Sequence, residues 1–514
     1  MQRKGIHDCI MGCEVEYSLS SHGNSQVRVR ENRDRALCSL KRSLCALNRN
    51  LPDTRARTGC FLSNGGRAYL DQGQHWEMAS PEVRTPLDVV VYERANERIL
   101  EEAVLSCNTP FPFSVYKNNI DYRGNTFGMH ENYSVRRRVA LEKLRRLVPF
   151  LVTRQLYAGA GRISFDPRSC GFELSQRARF VCQEVSRETT KNRGIINTKD
   201  ESLSGGEHQR IHLILGDSLR SELGSYLQVG TTALLIRLIE EGIPIGKNLA
   251  LEQPVDAIRE LSCNPSSPLA LADGRTMSAE QIQAEYLEEA KQHAYLLPEW
   301  SKDVLDRWQE VLLNLEETPE NLDTRLDFYI KRAMFDRFLS QHNLTWNDVK
   351  KWGPFLSRMW SYSAQLRSRP HLRTSETLEK IGESEKNTAR ILRSIITMLE
   401  MDIRYHDINR EMSLFDILDT GGLLNHRIVH EETIVHAMKT PPKGTRAELR
   451  GNTIEALSRN ARCAFASWTS ITIPGSRVLD MENPYEATGT WREIEEGATN
   501  SDESSNSFIR RIMD

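Results

Sequence analysis

The chain has 514 residues, enough for one large domain and at least one smaller one, and its 39% hydrophobic and 27% charged residues are those of an ordinary globular protein. A formal net charge of −2 supplies no field toward nucleic acid or an anionic membrane, so neither is expected as a partner. No run of about 18 apolar residues marks a membrane span, and the N-terminus lacks the apolar stretch of a signal peptide. Ten scattered cysteines without a CxxC pair point to reduced thiols in a cytoplasmic protein rather than to structural zinc or a disulfide framework.

The first 250 residues read as mixed strand and helix. Strand-like runs fall at Ile10–Leu19, Arg67–Asp71, Phe113–Lys117, Gly161–Phe165 and Arg210–Leu215, and helical patterns intervene at Pro86–Ala103 and Val135–Leu156. From about residue 278 the character turns helical. Ser278-Ala-Glu-Gln281 is a capping box, Val304, Leu305, Trp308, Leu312 and Leu315 form one apolar stripe, and Leu378, Ile381, Ile391, Ile395 and Leu399 another. Pro441-Pro442 marks a turn, and the Glu-, Ser- and Asn-rich composition after about 488 predicts a disordered tail. The simplest partition is a large α+β domain over 1–404 with a helical segment inserted at about 350–402, a small C-terminal domain over 405–487, and the tail over 488–514.

Chemistry concentrates on the strands. In Gly12-Cys-Glu-Val-Glu-Tyr-Ser-Leu19, alternation puts Cys13, Val15, Tyr17 and Leu19 on an apolar face and Glu14 and Glu16 on the other. Carboxylates two strand positions apart, about 7 Å along the backbone, can converge on hard cations that demand oxygen ligands. In Asn64-Gly-Gly-Arg-Ala-Tyr-Leu-Asp71 the residues Arg67, Tyr69 and Asp71 share a face after a glycine-permitted sharp entry, and the following stretch adds His75, Glu77 and Glu82. Arginine, phenol and carboxylate in alternate positions suit a site that holds phosphate, metal and a base together. Arg210 and His212 share a face of a third strand. His426 and His430 stand four apart with Glu431 beside them, which is read as a surface helix rather than a metal pair. Gly242-Ile-Pro-Ile-Gly246-Lys247-Asn248 is one residue short of P-loop spacing and lacks its Ser/Thr.

Taken in order, these segments resemble the family of ligases and deamidases that act on the prokaryotic ubiquitin-like protein, Pup. The resemblance runs over roughly 10–486 and includes Gly12-Cys-Glu-Val-Glu-Tyr17, Asn64-Gly-Gly-Arg-Ala-Tyr-Leu-Asp71, His130-Glu-Asn-Tyr133, Ser175-Gln-Arg-Ala178, Arg210-Ile-His-Leu-Ile-Leu-Gly-Asp217 and Pro441-Pro-Lys-Gly-Thr-Arg446. It implies a glutamine-synthetase-like fold, a curved antiparallel sheet cradling ATP and Mg2+ with helices behind and a small C-terminal domain. By position it implies Glu14, Tyr69 and Glu77 as magnesium ligands and Asp71 as catalytic base or nucleophile. Arg67, Ser80 and Trp468 would contact ATP, with Arg210 beside the phosphates and Glu16 and His212 on the metal side.

The activity implied is ATP-dependent ligation of the C-terminal glutamate side chain of Pup or a Pup-like protein to lysine amines of target proteins, through an acyl phosphate, feeding proteasomal degradation. A Pup deamidase or depupylase is the alternative, and a non-catalytic nucleotide-binding relative or a phosphatase a further one. The segment between Tyr17 and Asn64 is too short for the long loop of the depupylase branch, which favours the ligase. Three departures from the family pattern bear on the substrate: His75-Trp-Glu-Met78 stands for His-Pro-Glu-Tyr, Met129 for a cysteine, and Asp200-Glu-Ser-Leu203 for Asp-Glu-Pro-His.

Overall fold

Alternation of buried and polar residues builds the centre of the protein. The computed structural model describes residues 9–21, 26–54, 59–71, 73–121, 125–136, 139–166, 169, 171–189, 191–199, 206, 208–354, 356, 383–459 and 463–494. Among them, ten strands form one sheet: β1 (Met11–Ser21), β2 (Asn50–Pro52), β3 (Cys60–Leu62), β4 (Arg67–Leu70), β5 (Trp76–Ala79), β6 (Phe113–Tyr116), β7 (Met129–Arg136), β10 (Val181–Ser186), β11 (Arg193–Asn197) and β12 (His208–Leu213). Two short ribbons stand apart, β8 (Arg162–Ile163) with β9 (Phe172–Glu173) and β13 (Leu269–Ala270) with β14 (Thr276–Met277). Strand order is β10-β11-β12-β7-β1-β5-β4-β3-β2, with β6 pairing the far half of β1. Every neighbouring pair is antiparallel except β10 with β11, which run parallel.

The sheet has a dry face and a wet face. Cys13, Val15 and Tyr17 of β1 point into the main core, where the Pro86–Leu105 helix packs on the strand and the almost wholly buried Glu222–Glu240 helix packs behind it. Each such apolar side chain contributes about 1.5–3 kcal/mol by leaving water. Charged side chains buried in this layer form ion pairs: Lys117 Nζ lies 2.7 Å from Glu93 and 3.0 Å from Glu97, and Arg220 Nη1 lies 2.6 Å from Glu97. Removing one partner would strand the others in a low dielectric, so the set acts as a unit.

The predicted helix at Val135–Leu156 begins later than its pattern suggests. Burial alternates through Met129–Arg136, so period two continues to Arg136, and helical turns start at Leu141 and run in pieces to Ala158. The strand expected at Gly161–Phe165 contracts to Arg162–Ile163. The capping box at Ser278 and the stripe on Ser301–Glu317 are present. Ile391, Ile395 and Leu399 lie buried on the Glu383–Tyr405 helix, whereas Leu378, Ile381 and the rest of 357–382 lie outside the described residues. His426 is not on a surface helix. It is buried in an extended segment, its Nδ1 accepting from the Glu222 N–H at 3.2 Å, and His430 is the residue before the Glu431–Ala437 helix.

Residues 405–440 pack on the main body: the Tyr405 hydroxyl donates to Asp327 at 2.9 Å, and the Lys117 N–H donates to the His406 carbonyl at 2.8 Å. A second core gathers Phe61, Ile454, Ala466, Ile471 and Leu479 under the Arg446–Arg459 helix and a four-stranded sheet. That sheet comprises β15 (Phe465–Ala466), β16 (Ser470–Ile473), β17 (Arg477–Asp480) and β18 (Thr490–Glu493). Strand β18 extends past residue 488 because its backbone pairs with β17 although its side chains are exposed. Residues from 495 onward lie outside the described part.

Candidate active site

The wet face of β12, β7, β1, β5 and β4 floors a cleft of about 1240 Å³. Register decides which side chains meet. Glu16 and Tyr69 each lie opposite Glu77, Glu14 lies opposite His130, and His212 lies opposite Asn132. All ten residues singled out from the sequence, Glu14, Glu16, Arg67, Tyr69, Asp71, Glu77, Ser80, Arg210, His212 and Trp468, line this one cleft.

Two groups of metal-ligating side chains form on the floor. Glu14 carries His130 Nδ1 at 3.6 Å, His212 Nε2 at 3.8 Å and Arg210 Nη1 at 3.9 Å. Glu16 converges with Asp71 and His75, and within each of the sets Glu14–His130–His212 and Glu16–Asp71–His75 the ligand atoms lie within 4.8 Å of one another. Glu77 is buried beside them and hydrogen-bonded to the Tyr69 hydroxyl. Burial and then the charges of Glu14 and Glu16 push the Glu77 carboxyl well above its usual range. Burial raises Glu14 too, but the His130 hydrogen bond and the charge of Arg210 outweigh it and hold that carboxyl low. Both ring nitrogens of buried His212 lack a hydrogen-bond partner, and burial with Arg210 nearby keeps the ring neutral. Crowded carboxylates over a neutral, unpartnered imidazole form a donor set that fits a divalent cation.

Asp71 sits on a tight turn. Its N–H donates to the His75 carbonyl at 3.0 Å, its Oδ1 accepts from the His75 N–H at 2.6 Å, and its Oδ2 lies 3.6 Å from His75 Nδ1. Burial works against the ionised form, yet the His75 contacts dominate and hold the carboxyl below its usual range. The His75 ring in turn lies over Phe127, centroids 4.4 Å apart.

Arg67 is held from two sides. Its Nε donates to Asp53 at 2.6 Å and its guanidinium lies 3.9 Å from the Tyr69 ring centre. The Ser80 hydroxyl is occupied, accepting from the Cys13 N–H at 2.9 Å and donating to the Pro81 carbonyl at 3.1 Å, so it secures the β1–β5 junction at the cleft wall. Trp468 reaches the cleft from the C-terminal unit, edge-on to Phe61 at 5.1 Å.

Sequence reasoning gave no role to His130, His75, Asp53 or Arg177. His130 was detectable, since Met129–Arg136 alternates and puts His130, Asn132 and Ser134 on the polar side. Asp53 follows a three-residue strand too short to show a period. Arg177 lines the cleft fully buried with Nε and Nη1 unpartnered, and burial pushes it down to about 10. Only long-range contact reveals it.

Comparison with known proteins points to one family. The family profile "Pup-ligase protein" matches residues 9–352 and 380–472. The chain is 35% identical to the depupylase of Acidothermus cellulolyticus over 81% of this chain and 75% of that one. It is 33% identical to the Pup–protein ligase of Rhodococcus opacus over 94% and 97% respectively. Among solved structures, the complex between Pup and its ligase PafA superposes with a TM-score of 0.73 at 27% identity, covering 98% of this chain and 92% of that one. The ligase PafA in complex with ADP gives 0.67 at 29%, covering 88% and 90%.

Proposed function

The chain belongs to the Pup-ligase family, and on that premise we propose that it is an ATP-dependent ligase joining the C-terminal glutamate side chain of Pup to lysine amines of target proteins. The observation that carries this reading is the single cleft in which Glu14, Tyr69, Asp71 and Glu77 face one another beside Arg67 and Arg210. Glu14, Glu16, Tyr69 and Glu77, with His130 and His212 beside them, are the residues that would hold magnesium. Bound there, the ion would offset the negative charge of the transferring phosphoryl group. Support comes from the raised Glu77 carboxyl and the unpartnered His212 nitrogens.

The chain's own groups account for the rest. Arg67, Arg210 and Arg177 present fixed positive charge to the phosphates, and because these side chains are largely buried that charge acts more strongly than it would in bulk solvent. Trp468 offers a flat apolar surface to the adenine. The glutamate carboxyl, activated as an acyl phosphate, is open to attack by the lysine amine, whose proton Asp71 accepts from a position held by His75. Holding both reactants aligned supplies much of the rate. No described helix is long and apolar enough to cross a membrane, and the conjugates such a ligase makes would go to the proteasome.

The test combines the protein with ATP, magnesium, Pup ending in glutamate, and a lysine-bearing acceptor. ADP release with conjugate formation is expected, and neither appearing would overturn the substrate. The similarity to a depupylase makes hydrolysis the second reading, for which ammonia release from Pup ending in glutamine is diagnostic. Asp71→Asn should lower turnover by at least about 100-fold while nucleotide binding, measured by calorimetry, survives. Unchanged turnover would remove Asp71 from its role.

A further inference from the structure

Cys45 closes the last turn of the Gln26–Leu47 helix, Cys60 opens β3, and their sulfur atoms lie 3.9 Å apart. The two thiols differ in access: Cys45 is half-buried, and Cys60 is 2% exposed. Cys60 is held on both sides, paired with Pro52 of β2 and Ala68 of β4. The helix end opposite it is capped by side chains, the Asn50 amide donating to the Cys45 carbonyl at 2.8 Å and the Asn48 amide to the Leu44 carbonyl at 2.9 Å, while Leu40 and Leu44 anchor the helix in the main core.

We propose that Cys45 and Cys60 form a reversible dithiol–disulfide site, resting reduced and closed by small-molecule disulfides, with Cys45 as the attacking thiol and Cys60 as the resolving one. Closure brings the sulfurs to about 2.05 Å, an approach of roughly 2 Å. The Cys45 thiolate attacks one sulfur of the disulfide, forming a mixed disulfide and releasing one thiol. Cys60 then gives up its proton and attacks the Cys45 sulfur, releasing the second thiol. One disulfide is consumed, two thiols appear, and the protein loses two hydrogens.

The electrostatics favour this order of attack. The hydrogen bond shared with Cys60 leads in pulling Cys45 down to about 7, against burial and with Lys41 one turn back assisting, whereas the same bond and burial push Cys60 well up. A half-exposed thiol whose pKa lies near ambient pH is the most effective attacker. The bond would fasten the helix to the strand adjoining β4, and the same helix carries Arg33 to the rim of the cleft.

Trypsin separates the two cysteines onto Ser43–Arg49 and Thr58–Arg67, so peptide mapping can read the bond directly. The full chain is equilibrated with reduced and oxidised glutathione at several ratios, alkylated, digested and analysed by mass without reduction. The expected product is these two peptides joined and lighter by two hydrogens, with a melting midpoint higher by a few °C that reductant reverses. Cys60→Ser should stop at a glutathione adduct on Cys45, and Cys45→Ser should give neither adduct nor bond. Persistence of the Cys45 adduct in the wild type, or earlier modification of Cys60 or another cysteine, would overturn the proposal. The wild-type map stands even if a serine variant fails to fold.

Discussion

Asp71 owes its direction to a turn of five residues, and the smallest of them bears most on its chemistry. A Cβ built on Gly73 would stand 2.9 Å from Asp71 Oδ2 and 2.9 Å from His75 Nδ1. A methyl group there must displace one of the two side chains that the turn brings together, and misplacing a reacting group by about 1 Å can lower a rate by about 100-fold. Gly73→Ala should therefore reduce kcat for conjugation by about 10- to 100-fold while the KM for ATP stays within about twofold, checked by steady-state kinetics at saturating Pup. A change in KM alone would mean that Gly73 serves nucleotide binding instead. At this scale much was legible: strand period alone put Glu14 with Glu16 on a face of one strand and Arg67 with Tyr69 and Asp71 on a face of another, and both sets line one cleft. His75 and His130 were visible as letters but not as partners, because a histidine's role depends on what lies across the sheet. Glu14 opposite His130 is a fact of register, which spacing within one strand cannot supply.

Between elements, the short strands at the sheet's far edge set the direction of Arg67 in the cleft. Asp53 directly follows β2, bridges to Ala466 of the C-terminal sheet, and receives the Arg67 guanidinium. Its side chain is 1% exposed and that of Arg67 14%, so the pair is far less screened than a surface bridge. Truncating the acid leaves a half-buried arginine free to take other directions. Asp53→Ala should raise the KM for ATP by about 10-fold, or about 1.4 kcal/mol, with a smaller effect on kcat. Isothermal titration with ADP gives the same ratio if the effect is on binding. Long, strongly periodic elements such as β1 and the Pro86–Leu105 helix were readable because many residues repeat one pattern. Strands β2 and β3, three residues each, exist through pairing with neighbours and left no such trace. Where two periods competed, at Val135, the buried alternation of β7 prevailed over helix spacing.

Across the whole molecule, the cleft is completed by a unit whose core takes in Leu51 and Phe61 of the main sheet, and an ionic cluster reinforces that apolar joint. Glu82, just past β5, accepts from Arg446 Nε at 2.6 Å and from Arg450, while Arg84 donates to the Gly444 and Tyr485 carbonyls at 2.8 Å each. Composition placed a boundary at 405, yet residues 405–440 belong to the main core and the separate core starts with the helix at Arg446. Proline pairs and charge shifts report where the chain turns, and contacts alone report which body a segment joins. Burial would raise the Glu82 carboxyl, but Arg450 and then Arg446 pull it down to about 2 from an ordinary 4.5. A depressed carboxyl binds its proton less readily in the folded state than in the unfolded one. Its contribution, about 3 kcal/mol, is therefore complete above pH 4.5 and fades as pH falls toward 2. Glu82→Gln, which leaves both arginines buried without their counter-charge, should lower the melting midpoint most at neutral pH. The gap to wild type should narrow steadily between pH 4.5 and the lowest pH at which the chain still folds. A gap independent of pH would assign the effect to lost packing, and one that widens on acidification would contradict the joint as described.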